Sequence, residues 1–567
     1  MKKKPIETIL LERLNVLYGE EAEAVLERLL ALLHDYEKRL PKNTFEFSEK
    51  DAVLITYGDS FQQKNKKPLT VLNDFASEYL RDAISIVHVL PFFPYSSDDG
   101  FSVIDYREVN PKLGSWEDIH TLCAGRTVMF DAVINHISAE SSEFRGFLTG
   151  DEKYKNFFII VGPDFDTARV FRPRALPLLT RFDTKLGSLD LWTTFSTDQI
   201  DLNYESPEVL LYIIDVLLHY VGQGASIIRL DAIAFMWKES GTECLHLPQT
   251  HAAIKLFRNV FDMVAPHVKI ITETNVPHED NISYFGTGGD EAHMVYNFAL
   301  PPLTVHALLT GDGSYLTRWA STLQMENPKN YFYNFTASHD GIGLVPVRGI
   351  LPASEVDRLV EATEKHGGKL GLKDNPNGTQ SVYELNVSLF DLLSDPNGDE
   401  SIELQVHRFV ASQAVAMSLA GVPAFYYHSL VGSRNYYEGV EKTGVGRAIN
   451  REKLQLDEVK AELQEPGSRR ELVYSALTHL LNERRRHSAF HPEGLQTVLS
   501  LHRQVFIVER QSPDGREKIL SIINLSDKPV SLEPAFNGRV DLLTGTTLEK
   551  KIALEPYGIR WLLGDED

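Results

Sequence analysis

Three carboxylates stand where apolar runs stop. Asp231 follows IIRL, two residues after Arg229; Glu273 ends IITE; Asp340 follows His339 in ASHDG. Cleaving a glycosidic bond needs an acid at the leaving oxygen and a carboxylate on the opposite face of the sugar ring. Arg229 beside Asp231 predicts an ionised, nucleophilic aspartate. A glutamate in a drier position keeps a proton at neutral pH and serves as the acid. A third carboxylate binds sugar hydroxyls and stabilises positive charge developing at the anomeric carbon.

These residues are far apart in sequence, so a fold must gather them. Eight short apolar runs alternate with amphipathic stretches: AVLITYGDS from Ala52, ISIVHVLPFF from Ile84, TVMFDAVINH from Thr127 and ASIIRLDAIAF from Ala225 are the first four. VKIITETN from Val268, MVYNFALPP from Met294, YFYNFTASHD from Tyr331 and GVPAFYYHS from Gly421 follow. Near-continuous apolar runs indicate strands buried on both faces, as in a parallel sheet. Eight strand–helix units predict an α/β fold, a (β/α)8 TIM barrel. Asp59, His88, Asn135–His136, Asp231, Glu273 and His339–Asp340 then share the carboxyl-end rim, where barrel active sites are built. A single such residue reads as a helix cap or a satisfied loop group. So many at one structural position read as a site.

The organisation follows from where this texture breaks. Residues 1–50 form an N-terminal helical segment, with Val25, Leu26, Leu29, Leu30 and Leu33 on one stripe that packs on its own domain. The barrel runs over 51–137, 201–344 and 396–489. Residues 138–200, rich in Pro, Phe and Arg, are an inserted subdomain, and the turn-rich 345–395 are a second inserted loop subdomain. Residues 490–567 carry short strand-like runs between SPDG, NLSDKP and NG signals and form a C-terminal antiparallel β domain.

Composition narrows the partners. The chain has 567 residues and a formal charge of −22. That field repels a phosphodiester backbone and anionic membranes, so nucleic-acid and membrane partners are excluded as expectations. No run reaches the length of a bilayer span. Lys2, Lys3 and Lys4 read as a solvated end rather than a signal peptide, because charges follow at once and no small-residue cleavage site appears. The two cysteines, Cys123 and Cys244, fit a reducing cytoplasm.

DAVINH, IIRLDA, ITETN and ASHD resemble, in order, the four short conserved segments of the α-amylase clan (glycoside hydrolase family 13). VHVLPFFPYSSDDGFSVIDY, FRPRALPLLT, DLWTTFSTDQIDLNY, HDGIG and GRAINR are similar to its sucrose-phosphorylase branch. The resemblance covers nearly the whole chain. It implies cleavage of an α-glucoside by inorganic phosphate, with release of α-glucose 1-phosphate and retention. Asp231 is then the nucleophile, Glu273 the general acid/base and Asp340 the transition-state stabiliser. Asp59, His88, Arg229, His339 and Arg447 hold the glucosyl unit, and Phe61, Phe195 and Gln199 complete its pocket. Arg174 matches the family's phosphate-contacting position, with Arg172 nearby, and Tyr383 matches a mobile-loop tyrosine at the phosphate and acceptor site. A bidentate arginine grip suits phosphate, although pairing with acids of the inserted subdomain is an equally good account of Arg172. Two inversions give net retention, which places the two reacting carboxylates about 5–5.5 Å apart.

The departures concern the acceptor. The branch usually reads EVHSYY after the acid/base, whereas this chain has Glu273–Thr274–Asn275–Val276–Pro277–His278. Tyr383–Glu384 replaces Tyr-Gln, Phe235 replaces a tyrosine, and HDGIG continues Leu344–Val345–Pro346–Val347–Arg348. The glucosyl machinery is kept while the fructose site is rebuilt. The pattern is closer to branch members acting on glucosylglycerol or glucosylglycerate. A three-carbon acceptor fits a pocket narrowed by Trp237 and Pro346; Arg348 is a candidate partner for a glycerate carboxylate, while Glu384 argues for a neutral acceptor. Sucrose or sucrose 6'-phosphate phosphorylase is the alternative, and a retaining α-glucosidase or transglucosidase the next. A non-enzymatic barrel is disfavoured because all three carboxylates are present.

Asn135–His136 resembles a calcium-linked site of many amylases, but the branch generally does without that metal, so no metal and no cofactor are expected and phosphate is a co-substrate. GTGGD at Gly286 lacks the strand–helix setting of a dinucleotide fingerprint and reads as a turn. A monomer or homodimer is expected.

Overall fold

A computed structural model describes residues 4–185, 187–324, 327–375, 378–532, 539–548 and 552–564. Lys2 and Lys3, and Pro376 and Asn377 of the turn-rich segment, lie outside the described residues.

The eight apolar runs are the eight strands of one closed parallel barrel. They are β1 (Val53–Thr56), β2 (Ile86–Val89), β3 (Thr127–Ala132), β4 (Ile227–Leu230), β5 (Lys269–Thr272), β6 (Met294–Tyr296), β7 (Tyr331–Phe335) and β8 (Val422–Tyr426). Each pairs with its neighbours in chain order, and β8 closes on β1 with Val53 opposite Ala424. Seven of these strands are buried at every position, and in β3 only Thr127 is half-buried. That explains why their sequences run apolar without alternation.

Helices lie between most of the strands. The helix Pro207–Gly222 begins with proline in its first turn, where the missing N–H is no loss, and buries nine side chains from Val209 to Val221. The helix Ile402–Ser418 starts at Ser401, whose hydroxyl accepts the Leu404 N–H at 3.3 Å. Gly421, at φ +122, lets the chain enter β8; a Cβ there would stand 2.3 Å from the Phe332 carbonyl. The N-terminal helices α1 (Ile6–Tyr18) and α2 (Ala22–Glu37) bury Leu10, Leu14, Leu29 and Leu33 completely against the barrel helices. Each such leucine contributes about 1.5–3 kcal/mol.

Two excursions reach over the carboxyl-end rim. Residues 138–200 carry the helix Ser142–Thr149 and the hairpin Leu179–Thr184/Gly187–Trp192. Residues 345–395 carry a helix, Ala353–Lys365, and the hairpin Lys369–Asp374/Gln380–Asn386. After residue 490, five strands from Leu495 to Leu563 and the short Thr546–Thr547 form an antiparallel sheet of six. It has a small core of its own around Ile507, Ile522 and Leu562. No helix among the described residues is long and apolar enough to cross a membrane.

Candidate active site

The strand ends converge on a cavity of 540 Å³ at the rim. β4 delivers Asp231 and β5 delivers Glu273. The loop after β7 delivers His339 and Asp340, and all four line the cavity.

The wall behind Asp231 is a buried ionic chain. Arg229, 1% exposed, donates Nη1 to Asp231 Oδ1 at 2.7 Å and to Asp131 Oδ1 at 2.7 Å. Its Nε donates to the Tyr296 hydroxyl at 3.0 Å, and its Nη2 lies 3.9 Å from Glu273 Oε2. Asp131 in turn pairs with His88 Nε2 at 3.0 Å. Burial pushes the Asp231 and Glu273 carboxyls above the ordinary range; Arg229 opposes this, and repulsion from neighbouring carboxylates adds to it, from Glu273, Asp131 and Asp340 on Asp231 and from Asp340 and Asp131 on Glu273. The sequence expectation, that Arg229 simply keeps Asp231 low, omitted this desolvation. Of the two, Asp231 alone accepts a direct bond from the guanidinium, at 2.7 Å, while Glu273 stands 3.9 Å from it. The proton the pair retains therefore belongs on Glu273, and the charge on Asp231. Ala232, held at φ +48, aims its N–H at Glu273 Oε2 at 2.9 Å, a left-handed backbone spent on orienting the acid.

Asp340 has the opposite environment. Burial works against its charge. Arg447, at 2.5 Å, together with Arg451, outweighs that and holds the carboxyl well below the ordinary range. Burial takes His339 down to about 3, so its ring is neutral. It stacks on Phe101 with centroids 4.9 Å apart.

Arg447 also grips Glu384 with both ends of its fork, at 2.8 and 2.7 Å. Glu384 belongs to the hairpin of the second excursion, so this fork ties the hairpin to the rim. Tyr383, half-buried, lines the cavity beside it, and burial pushes its phenol well above the ordinary range. Asn275 lines the same side, and its buried Oδ1 has no hydrogen-bond partner among the described residues. It touches the backbone at Gly343, where a Cβ would lie 2.7 Å from that oxygen.

The first excursion supplies Phe195, Gln199 and Arg174 to the cavity. Gln199 is fixed by Phe101 O at 2.9 Å and Ser196 at 2.8 Å. Arg174 lies 5.6 Å over the Phe195 ring and donates to Asp98 Oδ2 at 2.9 Å.

Several expected residues stand elsewhere. His88 and Arg229 form the layer behind the lining. Asp59 is paired with Lys453 at 2.7 Å and is not part of the cavity lining. Phe61 is stacked on Phe75 at 3.9 Å in the core. Arg172 bonds to the Leu176 carbonyl and lies 3.7 Å from Asp374. It lies outside the lining, and the acid it pairs with belongs to the second excursion rather than to the inserted subdomain. Trp237 and Pro346 are buried outside the lining, and Arg348 is exposed. Val276, Phe298, Leu370 and Leu372 narrow the cavity instead.

Sequence reasoning did not single out Asp98, Asp131, Tyr296 or Arg451 as site residues. Arg451 donates to the His339 carbonyl at 2.9 Å and pairs with Asp99 at 2.9 Å. Its place four residues after Arg447 was the available signal. Among the described residues no His, Cys, Asp and Glu cluster has a metal-binding arrangement. At Asn135, the Nζ of Lys238 lies 3.4 Å from the amide oxygen and 2.7 Å from Asp201.

A closed eight-stranded barrel with Asp231 and Glu273 at the ends of β4 and β5 and Asp340 in the loop after β7 defines a class of enzyme that cleaves glycosidic bonds with carboxylates. Residues 56–340 match the family model described as alpha amylase, catalytic domain. The chain belongs to the α-amylase family, in its sucrose-phosphorylase-like branch. It is 50% identical, over 91% of its length and 88% of the relative's, to a glucosylglycerate phosphorylase of Spirochaeta thermophila. A glucosylglycerate phosphorylase of Allomeiothermus silvanus is 46% identical over 98% of both chains. Among solved structures, a sucrose 6F-phosphate phosphorylase from Thermoanaerobacter thermosaccharolyticum superposes with a TM-score of 0.72 at 24% identity. That match spans 84% of this chain and 94% of the other, and it bears on the fold.

Proposed function

We propose that this chain is a retaining glucosylglycerate phosphorylase, converting 2-O-α-glucosylglycerate and phosphate to α-glucose 1-phosphate and glycerate. The relatives' names support the acceptor. The observation that carries the reaction class is that Arg174 and Arg447 share one cavity with Asp231, Glu273 and Asp340. Water needs no cation to approach a glucosyl ester, whereas phosphate must pass these carboxylates.

In the first step an Asp231 oxygen bonds to C1 as the C1–O bond to glycerate breaks, and Glu273 gives its proton to the leaving oxygen. Asp340, kept anionic by Arg447, faces the positive charge that develops at C1. A phosphate oxygen then bonds to C1 from the vacated side and Asp231 leaves as a carboxylate. Monohydrogen phosphate returns its proton to Glu273, so atoms and charge balance. The side chains supply all of this chemistry, so no cofactor is invoked. Cys123 and Cys244 are free thiols, in keeping with a cytoplasmic enzyme.

The reading is tested by incubating the enzyme with α-glucose 1-phosphate and, in turn, glycerate, glycerol, fructose and fructose 6-phosphate. Glycerate should be glucosylated fastest. Preference for glycerol or either fructose would move the chain to another member of the branch. Rapid glucose release without phosphate from a glucoside donor would make it a hydrolase.

A further inference from the structure

Every cation that lines the cavity already has an internal carboxylate. Arg447 donates three bonds, two to Glu384 and one to Asp340. Arg174 donates one, to Asp98, and is about a third exposed. An entering oxyanion adds negative charge to a lining that contains five acids, so it must take over an arginine from one of them. The singly bonded Arg174 is the one from which a carboxylate is most readily exchanged.

Asp98 is placed for that exchange by an unusual turn. Asp98 and Asp99 are both left-handed, at φ +52 and +51, and lead into Gly100 at φ +112. A Cβ on Gly100 would stand 2.6 Å from the Pro91 carbonyl, so the turn is pinned from below. Arg451, 3% exposed, braces it from the barrel side, 3.5 Å from Asp98 and 2.9 Å from Asp99. Two consecutive left-handed non-glycine residues cost backbone energy, and such strain persists where the surroundings impose it. Burial disfavours the Asp98 charge, but Arg174, Arg451 and Arg447 outweigh it and keep it an anion. If Arg174 moves toward an oxyanion in the cavity, Arg451 remains beside Asp98, so the displaced carboxylate is not left unpaired.

We propose that Asp98 is a positioning residue that holds the place of the incoming oxyanion at Arg174, and that it sets the affinity of this site for phosphate or a carboxylate by competing for the guanidinium. This rests on the phosphorylase reading and adds to it a determinant of oxyanion affinity. Both co-substrates carry the chemistry in question, phosphate in one direction and the glycerate carboxylate in the other.

The test is Asp98→Asn, which keeps a side chain tolerant of the left-handed turn and removes the charge. KM is measured for inorganic phosphate in phosphorolysis and for glycerate and glycerol in synthesis, alongside thermal unfolding. KM should fall about three- to tenfold for phosphate, for glycerate or for both, as expected when one nearby like charge is removed. The neutral acceptor glycerol should not follow. The oxyanion whose KM falls identifies what Arg174 receives. Unchanged or raised KM for both oxyanions, or an equal fall for glycerol, overturns the proposal. Asp98→Gly, which the same φ accepts, should give the same pattern if the asparagine variant folds poorly. Arg174→Ala separates the two levels of argument. If it raises KM for phosphate while both Asp98 variants leave it unchanged, the phosphorylase reading stands and the place-holding role falls. If wild-type turnover does not depend on phosphate, the reading itself falls.

Discussion

Asp231 and Arg447 face one cavity from opposite surroundings. Behind Asp231 lies the chain Arg229–Asp131–His88, its members at most 1% exposed and built entirely on β2, β3 and β4. Around Arg447 lie Glu384 on the hairpin of the second excursion, Asp340 on a loop and, farther round, Arg174 on the first excursion. Strands fix a sugar ring to a few tenths of an ångström, whereas loops can exchange one partner for another. On the proposed reaction the strand wall would receive the one unchanging glucosyl ring, and the loop wall two successive guests, an acceptor and then phosphate.

The sharpest way to break this contrast is at the strand wall. Asp231→Asn should lower kcat for glucose 1-phosphate release by at least about 10⁴-fold, because no nucleophile remains. Circular dichroism should show the fold retained. Glu273→Gln should cost about 10²–10⁴-fold with glucosylglycerate and far less with α-glucosyl fluoride, whose leaving group needs little protonation. If the fluoride is slowed as much, Glu273 is not the acid. In the wild type, burial raises Glu273, so its acid form persists above the ordinary carboxylate range. The rate of the first half-reaction should fall on the alkaline side as that proton is lost, and the fluoride should lack this limb.

At the loop wall the effects should shift from chemistry toward stability and affinity. Arg447→Ala strands Glu384 and Asp340 and should cost about 3 kcal/mol in urea unfolding, the usual order for one partner removed from a buried pair. A loss under 1 kcal/mol would mean the hairpin is not tied down through this fork. Arg348→Ala should change KM for glycerate by less than about twofold, as for a surface substitution away from partners. A large effect would bring Arg348 back into the acceptor site.

All eight barrel strands were legible because burial on both faces leaves an uninterrupted apolar run, and their ends carried Asp231, Glu273 and Asp340. The six-stranded terminal sheet was legible from its turn signals. What was not legible depends on how excursions fold back. Leu370 and Leu372 narrow the cavity where Trp237 and Pro346 were expected, because the hairpin Lys369–Asp374/Gln380–Asn386 crosses the rim and nothing local in its sequence says so. The Asp98–Arg174 bond joins residues 76 apart. Asp59 carried a rim signature, yet Lys453, nearly 400 residues later, claims it. Hydrophobic periodicity reports local geometry, while ion pairing between loops is decided only after the barrel closes.

Lys238 has a consequence for how the first excursion is anchored. Its ammonium lies between Asn135, just beyond β3, and Asp201, where that excursion rejoins the barrel. A positive charge carried on the polypeptide cannot be diluted away or stripped by a chelator, so the junction of these two segments carries its own fastening. At this junction the expected outcome is that prolonged dialysis against EDTA leaves the packing of the two segments unchanged.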